Sequence, residues 1–183
     1  RRQSDGIPLF AEELAQAVGS QAPGDGPAPV PPSLEDLLHE RLDRLGAHKR
    51  LAQLAASIGR EVEPELLATV TGESQSQVEE QLGTLVEHAI LQRLETIAGP
   101  HYQFRHALIR QAAYHSQVRA DRREAHRHIA DSLLSDHPKR VQLHPEELAH
   151  HLSEAGRQAE AIPYWLVAAQ QAFDHWAVRE ADE

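Results

Sequence analysis

Apolar residues recur at helical spacing along most of the chain, and they alternate with polar residues in one region only, between residues 90 and 106. Leu and Ala dominate the composition while aromatic residues make up only 4%, which favours helix over strand. Within the exceptional region, segments 90–95 and 101–106 read as two strands around a turn, and His106 lies where the second strand gives way to a helix at 107–118. The chain is therefore predicted to be mainly α-helical, with one small β-hairpin.

Composition narrows the class of protein. The chain has 183 residues, 40% hydrophobic and 25% charged, as in soluble globular proteins. It has no cysteine, so disulfides and Cys-ligated metals are excluded and a reducing, cytoplasmic setting fits. No apolar run reaches the length of a membrane helix, and the net charge of −10 argues against nucleic acid as a default partner. The chain lacks Met and begins and stops inside helical motifs, so we expect it to be a piece of a longer protein.

The first half divides at a linker rich in Pro and Gly, residues 19–32, which separates a helix beginning near Pro8 from the rest. A helix capped by Ser33 and ended by Gly46 follows. Three further helices are predicted at 47–59, 63–72 and 73–89. Followed by the two strands, these three helices have the order of a winged helix.

The second half is predicted to be helical at about 120–135, 145–155 and 158–175, with a gap bracketed by Pro138 and Pro145. The last two helices resemble a tetratricopeptide (TPR) repeat, in which small residues let two helices pack closely and one aromatic residue fills the notch. The residues expected to pack are Leu148, Ala149, Gly156, Ala161, Trp165 and Ala168. Because one such repeat cannot bury its own faces, we expect more of them beyond Glu183.

Five segments together resemble one family, the bacterial STAND signal-transduction ATPases with numerous domains. They are DGIPLFAEEL, LEDLLHERLDRLG, LAASIGRE, FRHALIRQAAY and LAHHLSEAGRQAEAIPYW. The most similar branch is attached to class III adenylate/guanylate cyclases, LuxR-type regulators or protein kinases. In such proteins an ATPase core is followed by a lid, a winged helix and a helical-repeat sensor. The resemblance implies four parts: the end of the lid at 1–18, the linker at 19–32, a winged helix at 33–118 and a helical region with the start of TPR-like repeats at 119–183.

The resemblance also assigns residues near a nucleotide. Gly6 and Pro8 form the family's Gly-x-Pro motif, whose proline packs near the adenine; the alternative is an ordinary proline at a helix start. The segment around His106 resembles a signature whose histidine touches the β-phosphate of ADP, with Arg105 adding charge and Ala107 replacing that signature's aspartate. The alternative is a junction histidine that hydrogen-bonds a neighbouring carbonyl. By resemblance, ATP or ADP is the cofactor of the parent protein and none belongs to this segment.

Other kinds of site find less support in the sequence. A winged helix suggests DNA binding, yet the helix that would enter the groove, 74–88, has no Lys or Arg and carries three glutamates. The basic stretch 119–130 is typical of a solvated helix face paired with Asp121 and Glu124, although it could bind an anion or nucleic acid. The His126/His128 and His150/His151 pairs have the wrong spacing for metal ligation from one helical face, so no metal site is predicted. No P-loop is present, so this segment is not expected to be an enzyme, whether or not its parent is an ATPase or cyclase.

The sequence therefore predicts a regulatory segment that couples the nucleotide state of an upstream ATPase core to sensing of a protein or small molecule by the repeats. Two alternatives stay open: a winged-helix transcriptional regulator that binds DNA, and an interaction scaffold without nucleotide coupling.

Overall fold

The computed structural model describes residues 34–96 and 99–181. This part of the chain is mainly helical with a three-stranded antiparallel sheet. The helices are α1 (Leu34–Asp43), α2 (Lys49–Ile58), α3 (Pro64–Thr71), α4 (Gln75–Glu87), α5 (Ala107–His115), α6 (Arg119–Asp136), α7 (Pro138–Leu143), α8 (Pro145–Glu154) and α9 (Gln158–Ala181). The strands are β1 (Glu61–Val62), β2 (Leu91–Thr96) and β3 (Gly99–Phe104).

Local residue chemistry explains where several helices begin and end. Ser74 caps α4 in a reciprocal box, in which its hydroxyl accepts from the Gln77 backbone and the Gln77 side chain accepts from the Ser74 backbone. Helix α3 begins at a proline and ends before Gly72, whose φ of 72° suits glycine. Helix α1 stops at Asp43, earlier than predicted, and Gly46 opens a short 3-10 turn instead of ending the helix.

The predicted hairpin is confirmed, with small shifts at its ends. Strands β2 and β3 pair from Leu91 opposite Phe104 to Thr96 opposite Gly99. The prediction placed residues 105–106 in the second strand, but the strand ends at Phe104 because the chain turns there into α5. Strand β1 was not predicted, since two residues are too few to show alternation; it pairs with the other edge of β3.

Helix α7 occupies the gap predicted between Pro138 and Pro145. Both prolines stand in the first turn of a helix, Pro138 in α7 and Pro145 in α8, where the missing N–H is not needed. The sequence predicts a gap between these two prolines, whereas each proline starts a new helix.

One apolar core joins the sheet-containing half to the helical second half. It is continuous from Leu38 to Ala161 and draws on every helix except α7 for its buried residues. Helix α6 lies at its centre, packed against α2, α3 and α8. On α4, Val78, Leu82 and Leu85 are buried in this core and Val86 is half-buried. Helix α6 therefore connects α8 with α2 and α3 through one packed core.

Candidate functional site

The joint between β3 and α5 carries the first candidate residues. His106 has an extended backbone (φ −137°, ψ 143°) and is half-buried, and its carbonyl accepts from the Ile109 and Arg110 N–H groups at 3.1 and 3.3 Å. Arg105 is exposed beside it, and the first turn of α5 has no acidic residue. A helix start with nearby cationic groups has a positive potential that suits an anion. Gly6 and Pro8 lie outside the described residues.

Helix α5 runs from this joint into the core. Ile109, Ala112 and Ala113 are buried on its inner face, where it packs against α1, α2 and β3. Near its far end, Tyr114 brings a hydroxyl to the junction with α6 and α8. The Tyr114 hydroxyl lies 3.0 Å from His126 Nε2, and it also donates to Glu154 Oε2 at 3.4 Å.

Two buried histidines continue this hydrogen-bond network across α6 and α8. His126 Nδ1 lies 2.8 Å from His151 Nδ1, and neither side chain has solvent-exposed surface. A hydrogen bond between two ring nitrogens requires one to carry a proton and the other to be bare. When His151 is the donor, neutral His126 has its proton on Nε2 and donates to the Tyr114 hydroxyl, which leaves that hydroxyl free to donate to Glu154. We call Tyr114, His126, His151 and Glu154 the histidine cluster.

Burial keeps both rings of the histidine cluster neutral. Loss of solvent, reinforced by the nearby His150, lowers the pKa of His126 to about 4. Loss of solvent, reinforced by His126, lowers the pKa of His151 to about 3. Burial likewise raises the pKa of Tyr114, whose ring lies 4.8 Å from the Arg122 guanidinium. At neutral pH the cluster is therefore a chain of uncharged donors and acceptors that ends at one carboxylate.

The sequence interpretation missed this cluster. It placed His126 on a solvated basic face, which is wrong for this residue, although Arg127 is exposed and pairs with Glu124 as predicted. The signal was helical spacing: His126 falls on the same stripe as Ile129, Ala130 and Leu133, all buried. His151 follows the same rule beside buried leucines on α8. The spacing within the His126/His128 pair or within the His150/His151 pair could not reveal a contact between two helices.

Within residues 34–96 and 99–181, no group of three or more His, Asp or Glu side chains is arranged to hold a metal ion. The network instead uses its ring nitrogens for hydrogen bonds between helices.

The α8–α9 hairpin contains the six residues predicted to pack as a repeat. Leu148, Ala149 and Ala161 are buried between the helices, and Ala168 is half-buried. Gly156 turns the chain at φ 80°, while Trp165 is 44% exposed at the edge of the hairpin. The Trp165 indole Nε1 donates to Ser153 Oγ at 3.2 Å, and the exposure of this side chain differs from the notch-filling aromatic residue that the repeat resemblance implies.

Arg123 fastens this hairpin to α6. Its Nε donates to the Ala155 carbonyl at 2.8 Å, and its guanidinium covers Gly156.

A cleft of about 800 Å³ lies between β1 and helices α7 and α8. Arg140 at its wall pairs with Glu63 and Glu147, both at 2.7 Å, and so joins the start of α3 to α8. Arg123 and Arg140 therefore both connect elements of the fold.

The surface of α4 carries the charge that the sequence predicts. Glu80 and Glu87 are exposed and Glu79 is half-buried, and the helix has no Lys or Arg. An acidic helix repels phosphates, which disfavours insertion into a DNA groove. No helix in the described ranges combines the length and the apolar character needed to cross a bilayer.

Comparison with known proteins yields one informative similarity. No protein-family profile and no solved structure matches the chain. An uncharacterized protein of Rhizobium meliloti (strain 1021) is 30% identical over 189 residues, which cover 98% of this chain and 18% of that protein. The chain thus spans less than a fifth of the length of this relative. A sequence of this kind therefore also occurs inside a much longer protein.

Proposed function

We propose that this chain is a regulatory segment of a STAND-type, ATP-dependent signalling protein. It would couple the nucleotide state of an upstream ATPase core to the sensing of a partner by helical repeats. In this proposal α2 to α4 and the β2–β3 hairpin form the winged helix, and α8 with α9 forms the first TPR-like hairpin. The order of these elements and the five segments that resemble the family support it.

The observation that carries the proposal is the position of α5, which connects the candidate phosphate contact at His106 with the histidine cluster. The helix has nine residues, which corresponds to a length of about 13 Å. His106 stands before its first residue, and Tyr114, near its last residue, belongs to the histidine cluster and bonds to His126. A displacement at the phosphate end would therefore reach α6 and α8 through one short rigid element.

The proposed mechanism is a shift between a closed and an open arrangement. In the closed arrangement His106, with Arg105 beside it, contacts the β-phosphate of ADP, while Pro8 packs near the adenine. A partner that binds the repeats more tightly in the open arrangement shifts the population by that difference in affinity. The output domain of the longer protein then responds to the open arrangement.

An interaction scaffold without nucleotide coupling is the second candidate. The exposed apolar residues of α9, among them Leu166 and Phe173, favour a role in protein interaction. In a scaffold the repeats would matter, whereas changes at Pro8 and His106 would leave partner binding unaltered.

The deciding experiment measures ADP binding to the chain extended through its upstream core. The variants are His106→Ala and, as a matched control, His115→Ala, which removes an exposed histidine from the same helix. Loss of a hydrogen bond to a charged phosphate costs roughly 1.5–3 kcal/mol, so ADP affinity should fall about 10-fold to 150-fold in His106→Ala.

The control should bind ADP like the unchanged protein. Equal ADP affinity in all three proteins would make His106 a structural joint and contradict the switch. A protein that binds no nucleotide, before or after mutation, would favour the scaffold.

A further inference from the structure

The α8–α9 hairpin joins the rest of the described chain mainly through one helix. Helix α9 packs on α8, and α8 packs in turn on α6, with the short α7 beside it. Helix α6 also packs on α2 and α3, so it belongs to the core of the sheet-containing half. The contact between α6 and α8, which we call the α6–α8 seam, is therefore the main connection between the hairpin and that half.

Two buried histidines face each other across the α6–α8 seam. His126 Nδ1 and His151 Nδ1 lie 2.8 Å apart, and their hydrogen bond needs one nitrogen with a proton and one without. A pair of neutral rings meets this condition. When both rings are imidazolium ions, all four ring nitrogens carry protons, so two N–H groups point at each other and no hydrogen bond forms. The closed seam is therefore incompatible with two charged rings.

A single added proton also has no good place in the closed seam. Whichever ring takes it up, the bond between the two Nδ1 atoms persists only when His151 Nε2 carries a hydrogen. That nitrogen is buried and has no hydrogen-bond partner within the described residues. The added proton therefore produces an unpaired buried donor together with a buried charge, and both lower the stability of the closed seam.

The charged groups around the two rings do not compensate for this cost. Burial is the largest cause that lowers the pKa of both rings, and His150 on α8, Arg122 on α6 and Arg140 on α7 add to it. The Glu154 carboxylate on α8 acts in the opposite direction, on the α6 ring, and the Tyr114 hydroxyl of α5 bonds to both of these groups. Positive groups from three helices thus outnumber the one carboxylate, and both rings stay neutral in mild acid while the seam is closed.

We propose that the α6–α8 seam is sensitive to pH, and that mild acid releases the α8–α9 hairpin from α6 while helices α1 to α6 stay folded. In the released hairpin both rings regain water and take up protons near pH 6.5. Each ring then favours release about 10-fold between pH 7.5 and pH 5.5, so the pair raises the ratio of released to closed molecules about 100-fold. The proposal does not depend on the proposed nucleotide switch.

Hydrogen exchange of backbone amides, followed by mass spectrometry of the 183-residue chain at pH 7.5 and pH 5.5, tests the proposal. Helix α8 has ten residues, too few to keep its hydrogen bonds once it leaves α6, so its amides report on release. After correction for the intrinsic effect of pH on exchange, the protection factors of α8 should be lower than those of α2 and α4 at both pH values. They should also fall about 100-fold at pH 5.5.

His151→Asn removes one titrating ring, and the matched control His128→Asn removes an exposed ring from α6. The fall in the protection of α8 should shrink to about 10-fold in His151→Asn and stay about 100-fold in the control. Equal protection of α8, α2 and α4 in the unchanged chain would mean that the hairpin leaves only when the whole protein unfolds, and it would overturn the proposal even if His151→Asn does not fold. A fall of the same size in both variants, or none in the unchanged chain, would overturn it as well.

Discussion

The histidine cluster should make the folded protein lose stability as the pH falls from 7.5 to 5. His126 and His151 are buried and neutral, and their pKa values of about 4 and about 3 lie below the ordinary value of 6.5. In the unfolded chain both rings regain water and take up protons near pH 6.5. Acid therefore favours the unfolded state, which binds more protons.

The sign and size of the effect follow from these values. Above pH 6.5 both rings are neutral in the folded and in the unfolded state, so their full contribution to the free energy of unfolding is present. As the pH falls below 6.5, each ring lowers the free energy of unfolding by about 1.4 kcal/mol per pH unit until its folded-state pKa is reached. At pH 5 this amounts to about 2 kcal/mol for each histidine, or about 4 kcal/mol for the pair.

Urea unfolding followed by circular dichroism at pH 7.5 and pH 5.0 measures this loss. His151→Asn removes one titrating ring but leaves an amide near the position of Nδ1. Comparing the two pH values within each protein cancels the cost of the substitution itself. The loss should shrink by about 2 kcal/mol in His151→Asn and stay complete in the control His128→Asn, whose ring is exposed. Identical losses in the two variants would refute the reasoning.

Three further outcomes are expected from other parts of the structure. In urea unfolding, Gly156→Ala should lower the free energy of unfolding by about 1–2 kcal/mol, because φ is 80° there and the new methyl group displaces the Arg123 guanidinium. Gly83→Ala is the control, since Gly83 lies in a helix with open space around it. This change should leave the free energy of unfolding unchanged or raise it by up to about 1 kcal/mol. Tyr114→Phe should cost about 1–3 kcal/mol in urea unfolding, since it leaves a buried nitrogen of His126 without its partner. The chain should show no sequence-selective DNA binding at 0.15 M salt in fluorescence anisotropy, and a tight complex with a steep salt dependence would contradict the acidic surface of α4.

Local patterns account for what the sequence could predict. The stripes of α2, α4 and α8 and the alternation in β2 and β3 are set by neighbours in the chain, so the helices and the hairpin are confirmed. Strand β1 exists only because it lies against β3, and α7 begins at a proline that reads equally well as a break. His126 and His151 are 25 residues apart in the chain and lie on different helices, and a pattern within either helix carries no information about the other.

The hydrogen bonds of Tyr114, His126 and His151 also restrict how the helices of the core can move against each other. Apolar packing between α5, α6 and α8 is non-directional, so leucines alone would allow these helices to slide by small steps. The hydrogen bonds between Tyr114 and His126 and between His126 and His151 require one register, because they weaken steeply with distance and angle. A shift of α8 that breaks them leaves buried nitrogens without partners, at about 1–3 kcal/mol each, unless the shift continues to another bonded arrangement. The hydrogen bonds of the histidine cluster therefore restrain α8 to the register that the structure shows.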